Sequence, residues 1–216
     1  MITPDDGEAG AAGSHPGRVL ATRGRTESDL DECVNLMAEV HRRDGYPLRW
    51  PADPRRFLGT SKIFAAWVAT VDGQVAGHVA LSVASPDDAA PQLLGVTCSA
   101  PAGGDTADDG EMRGTGGAAG GGGVAAGDSG GVAMVSRLFV GAAARGYGAG
   151  RALMQQATEA AHERGLHLLL DVHSANTSAI ALYERLGWNF IGTSRAQWGP
   201  DQVTLLSYTA PSRLRA

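Results

Sequence analysis

One segment restricts the fold of this chain more than any other. Over residues 132–173 an apolar run, a glycine-rich turn, a helical pattern and a second apolar run follow one another. The two runs, VAMVSRLFV (132–140) and HLLLDVH (167–173), predict buried strands, and residues 148–164 predict an amphipathic helix. Strands joined through a helix pair in parallel, or nearly so, with a right-handed crossover. The segment therefore predicts a β-α-β unit inside a larger sheet.

The rest of the chain predicts antiparallel neighbours for that unit. Thr26 and Asp29 have the spacing of a capping box, and the helix that they begin is expected to end at Gly45. Asp72-Gly73 predicts a hairpin turn. Strands are predicted over 18–23, 63–71, 74–84, 188–194 and 203–209, extended residues over 93–98, and a helix over 176–186. The prediction is an α+β protein (α/β with a mixed sheet) flanked by helices.

Glycine is concentrated in one part of the chain. Residues 100–131 contain 13 of the 31 glycines and, apart from Met112 and Val124, no apolar residue larger than alanine. Such a segment cannot bury enough surface to offset the entropy of ordering, so it predicts a flexible insertion, and residues 1–17 predict a disordered arm. The sequence therefore predicts one domain over 18–216, interrupted by the insertion.

Charge, cysteine content and hydropathy exclude several classes of protein. The whole chain has a net charge of −5. Outside the arm and the insertion, 17 basic and 15 acidic residues give a net charge of +2, which does not suggest a nucleic-acid partner. Cys33 and Cys98 lack metal-ligand spacing, so no metal site is expected. The longest apolar run, 63–71, is too short to span a bilayer, and the N-terminus lacks a signal-peptide pattern. We expect a cytoplasmic protein without a membrane partner.

The turn RGYGAG, residues 145–150, carries the chemistry. It joins a strand to a helix start, where unpaired N–H groups and a partial positive charge favour an anion. Glycine allows a phosphate to approach the backbone, and Arg145 adds a cation. The dinucleotide-binding fingerprint needs a glycine at position 151, where this chain has Arg151. Asp171, however, lies at about the distance at which that fingerprint has its acidic residue. The P-loop motif does not match, because its lysine is absent. Phosphate binding is favoured, and packing alone is the alternative.

Two motifs carry a resemblance to a known family. The pattern Arg145-x-x-Gly148-x-Gly150 resembles the acetyl-CoA pyrophosphate loop of the GNAT superfamily of N-acetyltransferases. The segment from Asn176 to Trp188, NTSAIALYERLGW, resembles the family's second motif in the expected order and distance. Together the motifs cover residues 132–188.

The resemblance implies a GNAT-like fold and a direct transfer from acetyl-CoA to a primary amine in a ternary complex. The strands before and after the cofactor helix would splay apart around the pantetheine arm. Tyr183 matches the general acid, and a phenol can donate a proton to a departing thiolate. Its alternative role is that of a buried aromatic. The implied cofactor-binding residues are Leu138, Phe139, Val140, Arg145, Gly146, Gly148, Ala149, Gly150 and Asn176.

The general base is the point at which the sequence departs from the family pattern. Relatives often carry a glutamate on the strand before the loop, but VAMVSRLFV contains no carboxylate. His78 on the hairpin is the first candidate base, since its pKa suits proton transfer near neutral pH. His173, His41, Asp44 and Glu39 are further candidates. A water chain, or an amine that arrives deprotonated, would also serve.

The acceptor and the quaternary structure are the least determined features. In the family, the first helix and the loop after it shape the acceptor pocket. We expect a small-molecule or peptide amine as the partner. A homodimer is a possible assembly, since relatives are often dimers. A non-catalytic acyl-CoA-binding or regulatory module of the same fold is the alternative, and a nucleotide-phosphate binder is a third. The candidate pocket residues are Asp44, Tyr46, Arg49, Trp50, Arg55, Arg56 and, as part of a lid, Trp198.

Overall fold

A computed structural model describes residues 19–96, 113–114, 131–198 and 200–211 of the chain. The strands are β1 (Leu20–Gly24), β2 (Ile63–Val71), β3 (Gln74–Val83), β4 (Arg113–Gly114), β5 (Val132–Val140), β6 (His167–His173), β7 (Asn189–Trp198) and β8 (Asp201–Thr209). The helices are α1 (Leu30–Asp44), α2 (Pro54–Gly59), α3 (Ala89–Leu94), α4 (Ala149–Glu163) and α5 (Thr177–Arg185). None of the helices in these ranges is both long and apolar enough to cross a membrane.

The strands form one mixed sheet in the order β1-β2-β3-β5-β6-β8-β7-β4. Among the described strands, β5 and β6 are the parallel pair, and the other neighbours are antiparallel. The predicted β-α-β unit is confirmed, because α4 connects these two strands. The mixed sheet predicted from the sequence is also confirmed.

Helices cover both faces of the sheet. The largest apolar cluster packs α4 and Tyr183 of α5 against one face, where it includes Ala69 of β2. The preceding residue, Val68, packs with α1 and α2 on the other face. Alternation along a strand directs successive side chains to opposite faces, so α1 and α2 lie opposite α4. α3 covers the same face as α1, because Met134 packs with it while Ala133 packs on the α4 side.

Local sequence signals account for most element boundaries. The Asp29 carboxylate accepts the Thr26 backbone N–H at 2.7 Å, as the capping box predicted, and a short 3₁₀ turn leads into α1. α1 ends at Gly45, whose φ of +71° is the left-handed conformation that glycine adopts readily. Asp72 and Gly73 have φ values of +53° and +84°, which fit a tight hairpin turn.

Two segments differ from the sequence prediction. Leu93 and Leu94 were expected to be extended, but they end α3. The cause is tertiary, because the Asp171 carboxylate on β6 accepts the N–H groups of Ala89 and Ala90 at 3.0 and 3.3 Å. The predicted lid around Trp198 is also not a loop, since Trp198 ends β7 and pairs with Asp201.

The arm 1–17 and most of the insertion 100–131 lie outside the described residues. Within the insertion, Arg113 and Gly114 form β4 and pair with Gln197 and Ala196 at the edge of β7.

Candidate active site

An opening between two neighbouring strands is the central feature of the candidate site. β5 and β6 pair only through Val132↔His167, Ala133↔Leu168 and Met134↔Leu169. Beyond Met134, β5 continues along β3, and β6 continues along β8. The open stretch of β5, from Val135 to Val140, is about 17 Å long at 3.3 Å per residue. Its main-chain groups on the β6 side are therefore available to a ligand, as the predicted splay requires.

The glycine-rich turn lies at the end of this opening. Gly146 and Gly148 have φ values of +81° and +82°, and a Cβ at either would meet no atom within 4 Å. Gly148 is the N-cap of α4, and no side chain caps the helix there. The N–H groups at the start of α4 therefore have no side-chain cap and carry the partial positive charge of the helix end. The arrangement can hold an anion such as a phosphate.

Gly150 has a different role from the other two glycines. A Cβ at this position would lie 3.1 Å from the Leu182 side chain and 3.7 Å from that of Val140. Gly150 therefore lets α4 approach α5 and the end of β5 closely. Both interpretations of the turn apply, because Gly146 and Gly148 border open space while Gly150 serves packing.

Arg145 lies at the rim of the turn and is held by α1. Its guanidinium forms a two-pronged ion pair with Asp44, the last residue of α1, with one hydrogen bond at 3.0 Å. It also donates to the Val140 carbonyl at 3.2 Å. The Arg145 guanidinium holds the pKa of the Asp44 carboxyl below its usual range. Asp44, which the sequence offered as a base, is thus paired with the arginine of the glycine-rich turn.

Tyr183 lies in an aromatic cluster on the α4 side of the sheet. Its ring is 6% exposed and lies 6.0 Å from that of Trp188 and 6.2 Å from that of Tyr208. Burial raises the pKa of its phenol, and the Tyr46 phenol on the loop after α1 raises it further. The indole N–H of Trp188 is buried and has no hydrogen-bond partner among the described residues. The cluster therefore combines a protonated phenol with an unused donor.

Asn176 is placed at the start of α5, where it caps the helix. Its side-chain oxygen accepts the Ala179 backbone N–H at 3.3 Å. The amide NH₂ group is a second polar group on the same side chain. The residue can therefore cap α5 and still donate a hydrogen bond to a ligand.

His78 is enclosed by protein and does not have the geometry of a general base. Its side chain is fully buried, and Nε2 lies 3.1 Å from Arg25 Nη1 while Nδ1 lies 2.9 Å from the Arg137 carbonyl oxygen. A guanidinium only donates, so Nε2 is the acceptor and Nδ1 carries the proton. Burial lowers the pKa of the imidazole to about 3. With its lone pair already used, His78 is not proposed as the base below.

The loop after α1 presents aromatic and charged side chains near the site. Trp50 is 40% exposed and lies 5.4 Å from the His41 ring, so it is not a core anchor. His41 Nδ1 lies 2.7 Å from the Pro47 carbonyl oxygen. Arg55 is occupied by ion pairs that attach α2 to α1, with Asp31 and with Glu27 at 3.4 Å.

Asp171 does not support the dinucleotide alternative. Besides the two α3 N–H groups, its carboxylate accepts a hydrogen bond from the Ser207 hydroxyl at 2.5 Å. Burial raises the pKa of Asp171. The side chain is therefore occupied in fixing α3 to the sheet. No cluster of metal-ligating side chains occurs within the described ranges.

Sequence reasoning missed the contacts of two arginines beside the site, of which Arg137 is buried and Arg25 is partly buried. Arg137 donates from Nε to the Phe57 carbonyl at 2.6 Å, and its guanidinium lies 4.3 Å above the Phe57 ring. Arg25 donates to the Leu58 carbonyl at 2.5 Å. The available signal was an arginine in an otherwise apolar strand, which indicates a side chain with a defined partner.

Comparisons with known proteins agree with this geometry. The model of the acetyltransferase (GNAT) family matches residues 35–188. Streptothricin acetyltransferase from Streptomyces lavendulae is 47% identical over 53 residues, which are 24% of this chain and 28% of that relative. The chain thus matches little more than a quarter of that protein.

Solved structures share the fold at low sequence identity. Ribosomal-protein-alanine N-acetyltransferase from Brucella melitensis superimposes with a TM-score of 0.52 and 20% identity over 88% of this chain and 98% of that one. Arabidopsis thaliana NAA60, solved in complex with acetyl-CoA, superimposes with a TM-score of 0.59 and 16% identity. The match covers 88% of this chain and 98% of that one. Since the family match extends over most of the chain and includes the glycine-rich turn and α5, this protein belongs to the acetyltransferase (GNAT) family.

Proposed function

We propose that this enzyme transfers an acetyl group from acetyl-CoA to a primary amine by direct attack within a ternary complex. The observation that carries the proposal is the meeting of two features at the end of β5. The open edge of β5 offers main-chain groups to an extended arm, and the uncapped start of α4 offers N–H groups to phosphates. This combination fits a ligand with an extended arm that ends in a pyrophosphate, as the pantetheine arm of CoA does.

Different residues would bind the pantetheine arm and the pyrophosphate of acetyl-CoA. Leu138, Phe139 and Val140 would bind the pantetheine arm through their main chain, with the Asn176 amide as a further donor. The N–H groups of Gly146, Gly148, Ala149 and Gly150 would bind the pyrophosphate. Arg145 would contribute through its guanidinium, because its backbone N–H donates to the Ala142 carbonyl at 3.3 Å. When bound, acetyl-CoA supplies an acyl thioester that is activated toward amines.

Tyr183 is proposed as the general acid. Because burial raises its pKa, the phenol stays protonated at neutral and mildly alkaline pH and keeps its ability to donate. It would donate its proton to the sulfur as negative charge develops there. Tyr183 lies on α5, which approaches the end of β5 through Leu182 and Gly150.

No side chain of the described residues is assigned as the general base. His78 has no free lone pair, and Asp44 is paired with Arg145. We propose that the amine enters deprotonated or loses its proton to water.

This proposal predicts how kcat/KM depends on pH. The pH at which kcat/KM falls on the acid side should follow the pKa of the acceptor amine. Two amines whose pKa values differ by about two units should therefore move this midpoint by about two pH units. A midpoint that stays near pH 6.5 with both amines, and disappears in His173→Gln, would identify a histidine base instead.

The acceptor is proposed only by class. One relative is named for streptothricin and one solved structure for the alanine of a ribosomal protein, so both small amines and peptides are reasonable first substrates. We further propose a cytoplasmic location, no nucleic-acid or membrane partner, and a homodimer as the assembly to test first.

The direct test is release of CoA thiol from acetyl-CoA in the presence of a panel of primary amines. The proposal predicts release that requires both the enzyme and an amine, with the N-acetylated amine identified by mass spectrometry. Initial rates should give intersecting lines, and no acetylated enzyme should accumulate. CoA binding without amine-dependent release would instead favour the non-catalytic acyl-CoA-binding module.

A further inference from the structure

The opening between β5 and β6 begins beside a strained point in β5. Arg137 has a φ of +53°, which is unfavourable for a side chain other than glycine. The β3–β5 register shifts there, since His78 pairs with Phe139 but Ala80 pairs with Ser136. β5 therefore has one extra residue at this point, which is a bulge. A bulge bends and twists its strand, and this one follows the last β5–β6 pair, at Met134, by three residues.

His78 holds this bulge from the neighbouring strand. Its Nδ1–H donates to the carbonyl of Arg137 itself at 2.9 Å, and its ring stacks on Phe139 at 5.2 Å. Arg25 donates to Nε2 at 3.1 Å, which fixes the tautomer that has the proton on Nδ1. The imidazole is completely buried, so no water competes for either nitrogen.

The same group of side chains attaches α2 to the bulge. Arg25 donates to the Leu58 carbonyl and Arg137 to the Phe57 carbonyl, both in the last turn of α2. Arg25, His78 and Arg137 are called the bulge clamp here. The clamp connects the helix on the proposed acceptor side with the strand that the proposal assigns to the cofactor.

We propose that His78 is a positioning residue for acetyl transfer. Through the Arg137 carbonyl it fixes the bulge, and with it the direction in which the main-chain groups of Leu138–Val140 face the opening. The proposal rests on the proposed function, because it assumes that these groups bind the cofactor. It replaces the role of base that the sequence suggested for His78.

Three variants test the proposal through CoA affinity by calorimetry and through kcat. His78→Leu removes both hydrogen bonds and should weaken CoA binding about tenfold or more, with a lower kcat. His78→Asn keeps an amide donor near the position of Nδ1, so its CoA affinity should stay within about threefold of wild type, with an unchanged pH profile. Val203→Ala, a buried site on β8, should lower Tm without changing CoA affinity.

Each alternative gives a different result. Normal CoA affinity and kcat in His78→Leu, or an equal loss in Val203→Ala, would overturn the proposal. Normal CoA binding with equally low kcat in His78→Leu and His78→Asn would restore the base role and also overturn it. If His78→Leu does not fold, Arg25→Met should weaken CoA binding about threefold or more, and unchanged affinity there would count against the clamp.

A separate readout distinguishes failure of the clamp from failure of the proposed function. If wild type does not bind CoA, the proposed function fails first. Amide hydrogen exchange then tests the clamp in the protein alone. Exchange at Leu138–Val140 should be about tenfold faster or more in His78→Leu and near wild type in His78→Asn. Equal exchange in all three proteins would show that His78 does not hold the bulge.

Discussion

At the scale of single residues, the role of the Tyr183 phenol can be tested by comparison with the neighbouring Tyr208. Tyr183→Phe removes one hydroxyl from the proposed acid, and Tyr208→Phe removes one from a second buried tyrosine in the same cluster. Loss of a general acid costs about 10²–10⁴-fold, so kcat should fall by about 100-fold or more in Tyr183→Phe, with KM for acetyl-CoA little changed. Tyr208→Phe should keep nearly all of its kcat. Equal losses in both variants would mean that the cluster acts through packing.

The lowered pKa of His78 also leads to a prediction of how stability depends on pH. Its pKa is about 3 in the folded protein and 6.5 when unfolded, so the unfolded chain binds the extra proton between these values. The free energy of unfolding should therefore decrease as pH falls below 6.5, by about 2 kcal/mol between pH 7 and pH 5. Urea unfolding at the two pH values measures this change. His78→Asn should lose that part of the pH dependence, and an identical slope in both proteins would contradict the burial of a neutral imidazole.

At the scale of elements, Asn176 connects helix capping with ligand binding. Asn176→Ala should lower the free energy of unfolding by about 1 kcal/mol, because α5 loses its cap. Asn176→Asp keeps the capping oxygen and should restore stability, but it lacks the NH₂ donor. Thermal unfolding and CoA titration of both variants separate the two roles. If Asn176→Asp restores CoA affinity as well, Asn176 only caps the helix.

The sequence predicts elements well where the signal is local. The β5 and β6 ranges, the hairpin turn at Asp72-Gly73 and the end of α1 at Gly45 all follow from short patterns. α3 could not be predicted in this way, because its N–H groups are capped by Asp171 from a strand some 80 residues further along the chain. β4 is likewise defined by pairing with β7 and not by its own two residues.

Within the site, the same division holds between local and distant contacts. The turn 145–150 and the motif around Tyr183 are continuous in sequence and could be recognised. The environment of His78 is formed by Arg25 and Arg137, which are 53 and 59 residues away, so a histidine on a strand looked like a candidate base. Three-dimensional contacts alone show that both of its nitrogens are occupied.

At the scale of the whole molecule, the elements proposed to bind the two substrates lie on opposite faces of the central sheet, and the substrates would meet at the β5–β6 opening. The glycine-rich turn and α5 meet at the end of the β5–β6 opening, while α1, α2 and their loop lie on the opposite face. The Asp44–Arg145 ion pair and the bulge clamp each connect the two sides. This arrangement fits a reaction in which both substrates are bound before the acetyl group moves.

The measurement that tests the central claim most directly is a calorimetric titration of CoA into wild type and two matched glycine variants. Gly148→Glu places a carboxylate in the glycine-rich turn, and Gly165→Glu makes the same change at another open position with positive φ, after α4. Both variants have the same type of backbone strain. The account predicts that Gly148→Glu weakens CoA binding about 100-fold or more while Gly165→Glu binds like wild type. Unchanged affinity in Gly148→Glu, or an equal loss in both, would contradict it.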